Sequence, residues 1–250
     1  MQRCTGFLAI ALASACWLTA GAASASGIKV SPVSLTLSPS ATSAMLVLTN
    51  QGTELVRFHI TAFAWGEKPD GQMELSPSTE IVFFPAMVSL KPGEARKVRV
   101  GVTAKPAALE RSYRVFVQEL PGLVKTAGQR VSVVGMLTKM GIPVFYEAGT
   151  RTSLPAVSGL GITGKSVKFN LTNRGTAHYR ATKIVISAKD GANVIHSQEA
   201  KGWYVLAGGT RPYVVEFPQA VCATLKSVQI DLETDKGSAK AVLANARCGT

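Results

Sequence analysis

The strongest formal match to a chemical motif is Gly159-Leu160-Gly161-Ile162-Thr163-Gly164-Lys165-Ser166. It fits both G-x-x-x-x-G-K-S, the phosphate loop of nucleotide-binding proteins, and G-x-G-x-x-G, the dinucleotide fingerprint. Either mechanism needs a strand before the glycines and a helix N-terminus after them, so that backbone N–H groups converge on phosphate. Here Ser166 leads straight into Val167-Lys168-Phe169-Asn170-Leu171, an alternating run that predicts a strand. The segment therefore reads as a glycine-rich turn between two strands, and no nucleotide is expected.

Other chemistry-bearing residues are scattered. His59, His178 and His196 lie far apart, with no H-x-x-x-H spacing and no C-x-x-C pair, so no metal site is expected. G-x-S-x-G is absent, and no Ser/His/Asp set or carboxylate pair stands out from the background of abundant serine. Neither an enzyme nor a cofactor is expected.

Arg3 gives a short positive start, Gly6 to Leu18 is apolar and small, and Ala23-Ser24-Ala25 offers a cleavage site. Residues 1–25 thus read as a secretory signal, since a membrane span needs about 20 apolar residues. Read as a lipoprotein box, Ala13-Ser14-Ala15-Cys16 would instead put lipid on Cys16. Against that, Ala13 stands where a bulkier aliphatic is usual, and Trp17-Leu18 continue the apolar run. Cleavage after Ala25 removes Cys4 and Cys16 and leaves Cys222 and Cys248 for an oxidising compartment. A bridge between them would contribute roughly 3.5 kcal/mol by closing the loop; two buried thiols are the alternative.

The remaining 225 residues lose only Arg3, so the net charge falls from +12 to +11. That length suits two domains of about 100 residues. The basic balance suits nucleic acid, an anionic membrane or an acidic protein partner. Secretion, and the lack of a basic run interleaved with aromatics, argue against nucleic acid.

The elements that would hold such a chain together repeat. Leu48-Thr49-Asn50-Gln51-Gly52-Thr53 returns as Leu171-Thr172-Asn173-Arg174-Gly175-Thr176, 123 positions later. A second echo follows each copy, Leu90-Lys91-Pro92-Gly93-Glu94 and, 116 positions on, Leu206-Ala207-Gly208-Gly209-Thr210. Two copies at this long period predict paired domains. Alternation at period two in Ala44–Leu48, Val56–Ala64, Val98–Val102, Tyr113–Leu120, Ala181–Ala188 and Ser227–Leu232, broken by Gly, Pro and Asp clusters, predicts an all-β sandwich in each half. Asp190-Gly191 marks a hairpin, and Glu147-Ala148-Gly149-Thr150, poor in apolar residues, marks the boundary between domains.

One segment stands apart. Val131 to Tyr146 is a single extended run with Val134, Met136, Thr138, Met140 and Ile142 on one face. The opposite face carries Val133, Gly135, Leu137, Lys139 and Gly141, and is expected to turn toward the chain's own core. A long core strand and an edge strand offered to a partner are both compatible with this pattern.

With the order Leu90-Lys91-Pro92-Gly93-Glu94, Lys97-Val98-Arg99-Val100, Glu119-Leu120-Pro121 and Ile142-Pro143-Val144-Phe145-Tyr146, the chain resembles the periplasmic chaperones of the chaperone-usher pathway, which assemble pili and fimbriae. The resemblance is strongest from Ile81 to Tyr146 and weak in the second half. It implies two immunoglobulin-like β-sandwich domains in a boomerang arrangement, residues 26–148 and 149–250, working in the periplasm. The implied partners are pilus or fimbrial subunits and an outer-membrane usher, with no membrane span. Such chaperones lend the last strand of the first domain to a subunit that lacks its own, and Val134, Met136, Thr138 and Met140 match the donated face by position.

The chain departs from that pattern where the family usually places an Arg and a Lys to hold the subunit's C-terminal carboxylate. Ungapped matching puts Ser34 and Pro143 there, and neither carries charge. Arg99, Arg114 and Lys139 are the substitutes, each equally readable as a solvated strand charge. Two other functions compete: a secreted structural β-sandwich adhesin or pilus component, and a periplasmic enzyme or carbohydrate-binding module. The duplicated domain argues against the first, and the lack of a catalytic set or aromatic platform argues against the second.

Overall fold

The computed structural model describes residues 27–121, 137–147 and 149–249. The first half forms strands β1 (Ile28–Ser31), β2 (Leu35–Leu37), β3 (Ser43–Asn50), β4 (Val56–Glu67), β5 (Met73–Ser76), β6 (Ile81–Phe84), β7 (Met87–Leu90), β8 (Ala95–Val102), β9 (Arg111–Glu119) and β10 (Lys139–Tyr146). The second forms β11 (Pro155–Thr163), β12 (Ser166–Asn173), β13 (Tyr179–Asp190), β14 (Asn193–Ala200), β15 (Tyr204–Val205), β16 (Thr210–Glu216), a four-residue helix α1 (Gln219–Cys222), β17 (Ser227–Thr234) and β18 (Gly237–Ala244). Among the described residues, no helix is long and apolar enough to cross a membrane.

Each half is a sandwich of two sheets. In the first, β1-β3-β8-β6 faces β2-β10-β9-β4-β5, with β7 beside β4. Alternation decides what lies between them: Leu46, Leu48, Val98 and Val100 from one sheet meet Phe58, Ile60, Tyr113, Val115, Val117, Ile142 and Val144 from the other, all buried. In the second, β11-β12-β16 faces β14-β13-β17-β18, with β15 beside β13, around Phe169, Leu171, Ile184, Ile186, Val228, Ile230 and Leu232. The fold is all-β and immunoglobulin-like, as expected.

The repeated hexapeptide does the same work in both halves. The Asn50 side-chain oxygen accepts the Gly52 N–H (2.9 Å), while its amide nitrogen donates to the carbonyls of Glu54 (2.7 Å) and Leu90 (3.1 Å). Asn173 accepts the Gly175 N–H (3.0 Å) and donates to Ala177 (2.8 Å) and Leu206 (3.1 Å). Leu90 and Leu206 begin the second echo, so a buried asparagine ties the two repeated motifs together in each sandwich. A buried backbone group left without a partner costs about 1–3 kcal/mol, so losing either asparagine would weaken its corner.

The glycine-rich motif is a β-hairpin. Thr163 pairs with Ser166 across a turn in which Gly164 adopts φ +57°, and the register slips between Ser158 and Gly161. Strand β12, not a helix, follows the glycines, and the Lys165 ammonium is exposed and paired with Glu216 at 2.9 Å. The Asp190-Gly191 turn likewise joins β13 to β14, with Gly191 at φ +61°.

Candidate functional site

Strand β10 is flanked by β9 along its whole length, from Lys139↔Gln118 to Tyr146↔Arg111. Its other side meets the short β2, and only at Val144, Phe145 and Tyr146. From Lys139 to Pro143 that side has no neighbouring strand among the described residues. The Glu119 N–H donates to the Thr138 carbonyl at 2.8 Å. Backbone groups of alternate residues point to opposite sides of a strand, so those of Lys139, Gly141 and Pro143 point toward the open side. Pro143 supplies no N–H there, which suits a strand edge.

The side chains of β10 divide with equal clarity. Ile142, Val144 and Tyr146 are buried in the first sandwich, with Met140 half-buried against them. Lys139, Gly141, Pro143 and Phe145 alternate with these and share the outer face of the sheet. Gly141 passes beneath Phe116 so closely that a Cβ would lie 3.0 Å from the ring. The Lys139 ammonium sits 4.7 Å from that ring's centre.

This reverses the expected assignment of faces over the described part of the run. Met140, expected on the donated face, is half-buried against the protein's own core, because it shares its side of the strand with Ile142 and Val144. Lys139 and Gly141, expected to turn toward the core, lie outside it. Thr138 is half-buried, its N–H donating to the buried Glu119 carboxylate at 3.2 Å, and Leu137 is exposed. Val134 and Met136 lie outside the described residues.

Of the three substitute cations, Lys139 and Arg114 lie at the open stretch of β10, and Arg114 is the buried one. It stands directly across the ladder from Pro143. Ser34 immediately precedes Leu35, the partner of Val144, so both positions that lack the usual charge adjoin the strand end that Arg114 covers. Its Nη1 donates to the Gly141 carbonyl at 2.9 Å, while Nε and Nη2 are buried with no partner among the described residues. The guanidinium carbon lies 4.2 Å from the Trp65 ring centre, 5.6 Å from Trp203 and 5.9 Å from Tyr204. Burial pulls its pKa below the usual arginine value, with the neighbouring Tyr204 opposing. Lys139 lies on the same face, whereas Arg99 belongs to β8 in the other sheet, exposed and 3.4 Å from the Ser43 hydroxyl. The structure does not bring Arg99 together with the other two.

The aromatic neighbours of Arg114 come from both sandwiches and form their joint. Trp65, Phe145 and Leu206 are buried together with Tyr204 against them. Phe145 stacks on the His178 imidazole at 3.4 Å between ring centres. The Glu110 carboxylate accepts the backbone N–H of His178 (3.1 Å) and lies 2.6 Å from its Nδ1. Nearby, the Glu67 carboxylate accepts the Leu206 N–H at 3.2 Å and faces Arg211 at 3.8 Å. Burial raises the Glu67 pKa above the ordinary glutamate value, partly offset by that hydrogen bond and by Arg211.

Residues 27–148 match the family described as pili and flagellar-assembly chaperone, PapD N-terminal domain. The chain belongs to the pilus-assembly chaperones. Similar solved structures cover nearly all of this chaperone. One is a chain of the CsuC-CsuE chaperone-tip adhesion subunit pre-assembly complex from the archaic chaperone-usher Csu pili of Acinetobacter baumannii. It has 17% identity over 90% of this chain and 100% of that one, with a TM-score of 0.60. The YadV chaperone is 12% identical over 87% and 98%, TM-score 0.58. A chain of Salmonella enterica SafA pilin in complex with the SafB chaperone is 14% identical over 89% and 99%, TM-score 0.55. At these identities the likeness is one of fold. A comparison with curated protein sequences finds no match.

The chaperone's second sandwich carries the bridge expected between Cys222 and Cys248, with an S–S distance of 2.05 Å and Cα atoms 5.4 Å apart. It ties the end of α1 to the segment after β18. Sequence reasoning gave Arg114 no priority over Arg99 and Lys139. Its rank comes from Trp203 and Tyr204, which are about 90 residues further along and meet it only in the folded chain.

Proposed function

We propose that the protein is a periplasmic, non-enzymatic chaperone that binds pilus or fimbrial subunits, keeps them from aggregating and delivers them to an outer-membrane usher. The observation that carries this reading is the open side of β10 from Lys139 to Pro143. A subunit lacking one strand exposes both a row of unpaired backbone groups and an apolar groove. The Lys139 and Gly141 N–H groups and the neighbouring carbonyls offer the backbone partner. In this reading Val134, Met136 and Thr138, upstream in the same run, enter the groove, and Met140 does not. Residues 1–25 direct secretion, and the Cys222–Cys248 bridge fits an oxidising compartment.

Arg114 is the group best placed to receive the subunit's terminal carboxylate, since its guanidinium reaches the open edge beside Gly141. Two unpartnered N–H groups in a planar fork suit a carboxylate, and charge-assisted bonds of this kind are about twice as strong as neutral ones. Lys139 lies on the same face and adds positive potential. Two solved relatives are themselves described as complexes of a chaperone with a tip adhesion subunit and with a pilin.

The test is periplasmic co-expression with a pilus subunit from the same genome. Lys139→Pro removes one outward N–H while sparing the β9 ladder, so the variant folds but captures the subunit weakly. One lost bond and the intruding ring cost about 1–3 kcal/mol, or roughly 5- to 150-fold in affinity. Undiminished co-purification of subunit with a folded Lys139→Pro protein would contradict the proposal.

A further inference from the structure

The second sandwich closes off the guanidinium of Arg114. Nε and Nη2 are shielded and unpartnered among the described residues, although Arg114 is only 6% exposed. A buried cation without a counter-charge is costly, and aromatic faces return only part of that cost. Two orphaned N–H groups therefore mark a seat made for an anion.

The two tryptophans beside that seat differ in freedom. Trp65 is buried and held by Phe145 and Tyr204. Trp203 is half-buried and borders an open cavity of about 510 Å³, which it lines with Gln72, Met73, Lys201, Gly202 and Arg211. Its backbone is pinned, because its carbonyl accepts the Ala181 N–H at 2.9 Å and Gly202 sits so close to the Ala181 carbonyl that no Cβ would fit. Any freedom left to Trp203 is in its side chain.

We infer that Trp203 is a swinging lid on the Arg114 seat, and that a carboxylate reaches Nε and Nη2 when the indole turns into the adjoining cavity. The inference rests on reading the chain as a subunit carrier, in which the carboxylate is the subunit's C-terminus. An acidic side chain would present the same chemistry. Lys201 on the cavity rim adds attraction for either.

The experiment follows the Arg114 Nε–H resonance by NMR in the mature protein. The probes are N-acetyl-leucine, its amide, and N-acetyl-aspartate with the α-carboxyl amidated. N-acetyl-leucine shifts the resonance and N-acetyl-leucine amide does not. The aspartate probe binds more weakly if the seat serves a chain terminus, and more tightly if it serves an acidic side chain. Trp203→Ala, with Trp203→Leu as a second variant, lowers the midpoint about three- to tenfold, the worth of the lost indole–guanidinium contact. Arg114→Met abolishes the response of tryptophan fluorescence to N-acetyl-leucine while leaving the thermal midpoint unchanged or higher. Equal or weaker binding in both Trp203 variants would overturn the lid while leaving the seat. No carboxylate response in any form, or a lower thermal midpoint for Arg114→Met, would overturn both. Capture of the subunit by the β10 edge, scored by co-purification, stands or falls separately.

Discussion

Replacing Phe145 by Ala tests whether the joint between the sandwiches is a separate source of stability. Phe145 is 1% exposed, but it faces away from the first core, so its loss leaves Ile142, Val144 and Tyr146 in place. The ring contacts His178 at 3.4 Å, Tyr204 at 5.8 Å and Trp65 at 5.9 Å between centres. Burying a Phe stabilises by about 1.5–3 kcal/mol, and each aromatic pair adds about 0.5–1.5 kcal/mol. A cavity sealed in a single core would raise the cost of Phe→Ala to about 3–5 kcal/mol. Two domains can part instead of holding a void, so the loss should fall at the low end of these sums, about 3–4 kcal/mol, and act on coupling. In calorimetry the wild type unfolds in one transition, and Phe145→Ala splits it into two. Urea titration followed by tryptophan fluorescence reports the joint directly, because Trp65 and Trp203 both border it. A single transition at the wild-type midpoint would refute the reasoning.

Two further outcomes follow from the same contacts. Cys222→Ser opens a loop spanning 26 positions and should cost roughly 3.5 kcal/mol on the chain-entropy account, lowering the urea midpoint of the second sandwich in the Phe145→Ala background, where the two sandwiches unfold separately. The Tyr113 hydroxyl, first, and Arg111 hold the Glu80 carboxyl below its ordinary pKa of 4.5. A depressed acid contributes fully above its unfolded-state value and loses that contribution as pH falls through the folded one, so Glu80→Gln should flatten the acid side of the stability profile without changing its direction at neutral pH.

Much of this architecture was legible because it is local. Alternation exposed the strands, the Gly164 and Gly191 turns announced their hairpins, and the repeated Leu-Thr-Asn corner revealed the duplicated domain. The Cys222–Cys248 pair followed from compartment and count. Strand β10 shows where such reading stops. Its alternation separates Met140, Ile142 and Val144 from Lys139, Gly141 and Phe145, but an apolar face suits the strand's own core as well as a partner's groove. Which one it fills depends on where β2 ends and how β9 pairs, contacts made by residues far away in sequence. Arg114, one of three candidate cations in the sequence, could not be ranked above Arg99 and Lys139 for the same reason. Its neighbours Trp65, Gly141, Trp203 and Tyr204 share no spacing, and its unpaired nitrogens exist only once both sandwiches have closed around it.

The most direct test of the central claim is residue-resolved amide hydrogen exchange at Lys139 and Gly141, in the free protein and in complex with a co-expressed pilus subunit. Both N–H groups point to the side of β10 that has no neighbouring strand among the described residues, whereas those of Met140 and Ile142 face β9. The account predicts fast exchange at Lys139 and Gly141 in the free protein, slowed at least about tenfold in the complex, with Met140 and Ile142 protected in both. Unchanged exchange at Lys139 and Gly141 in a complex that demonstrably holds the subunit would contradict strand donation from β10.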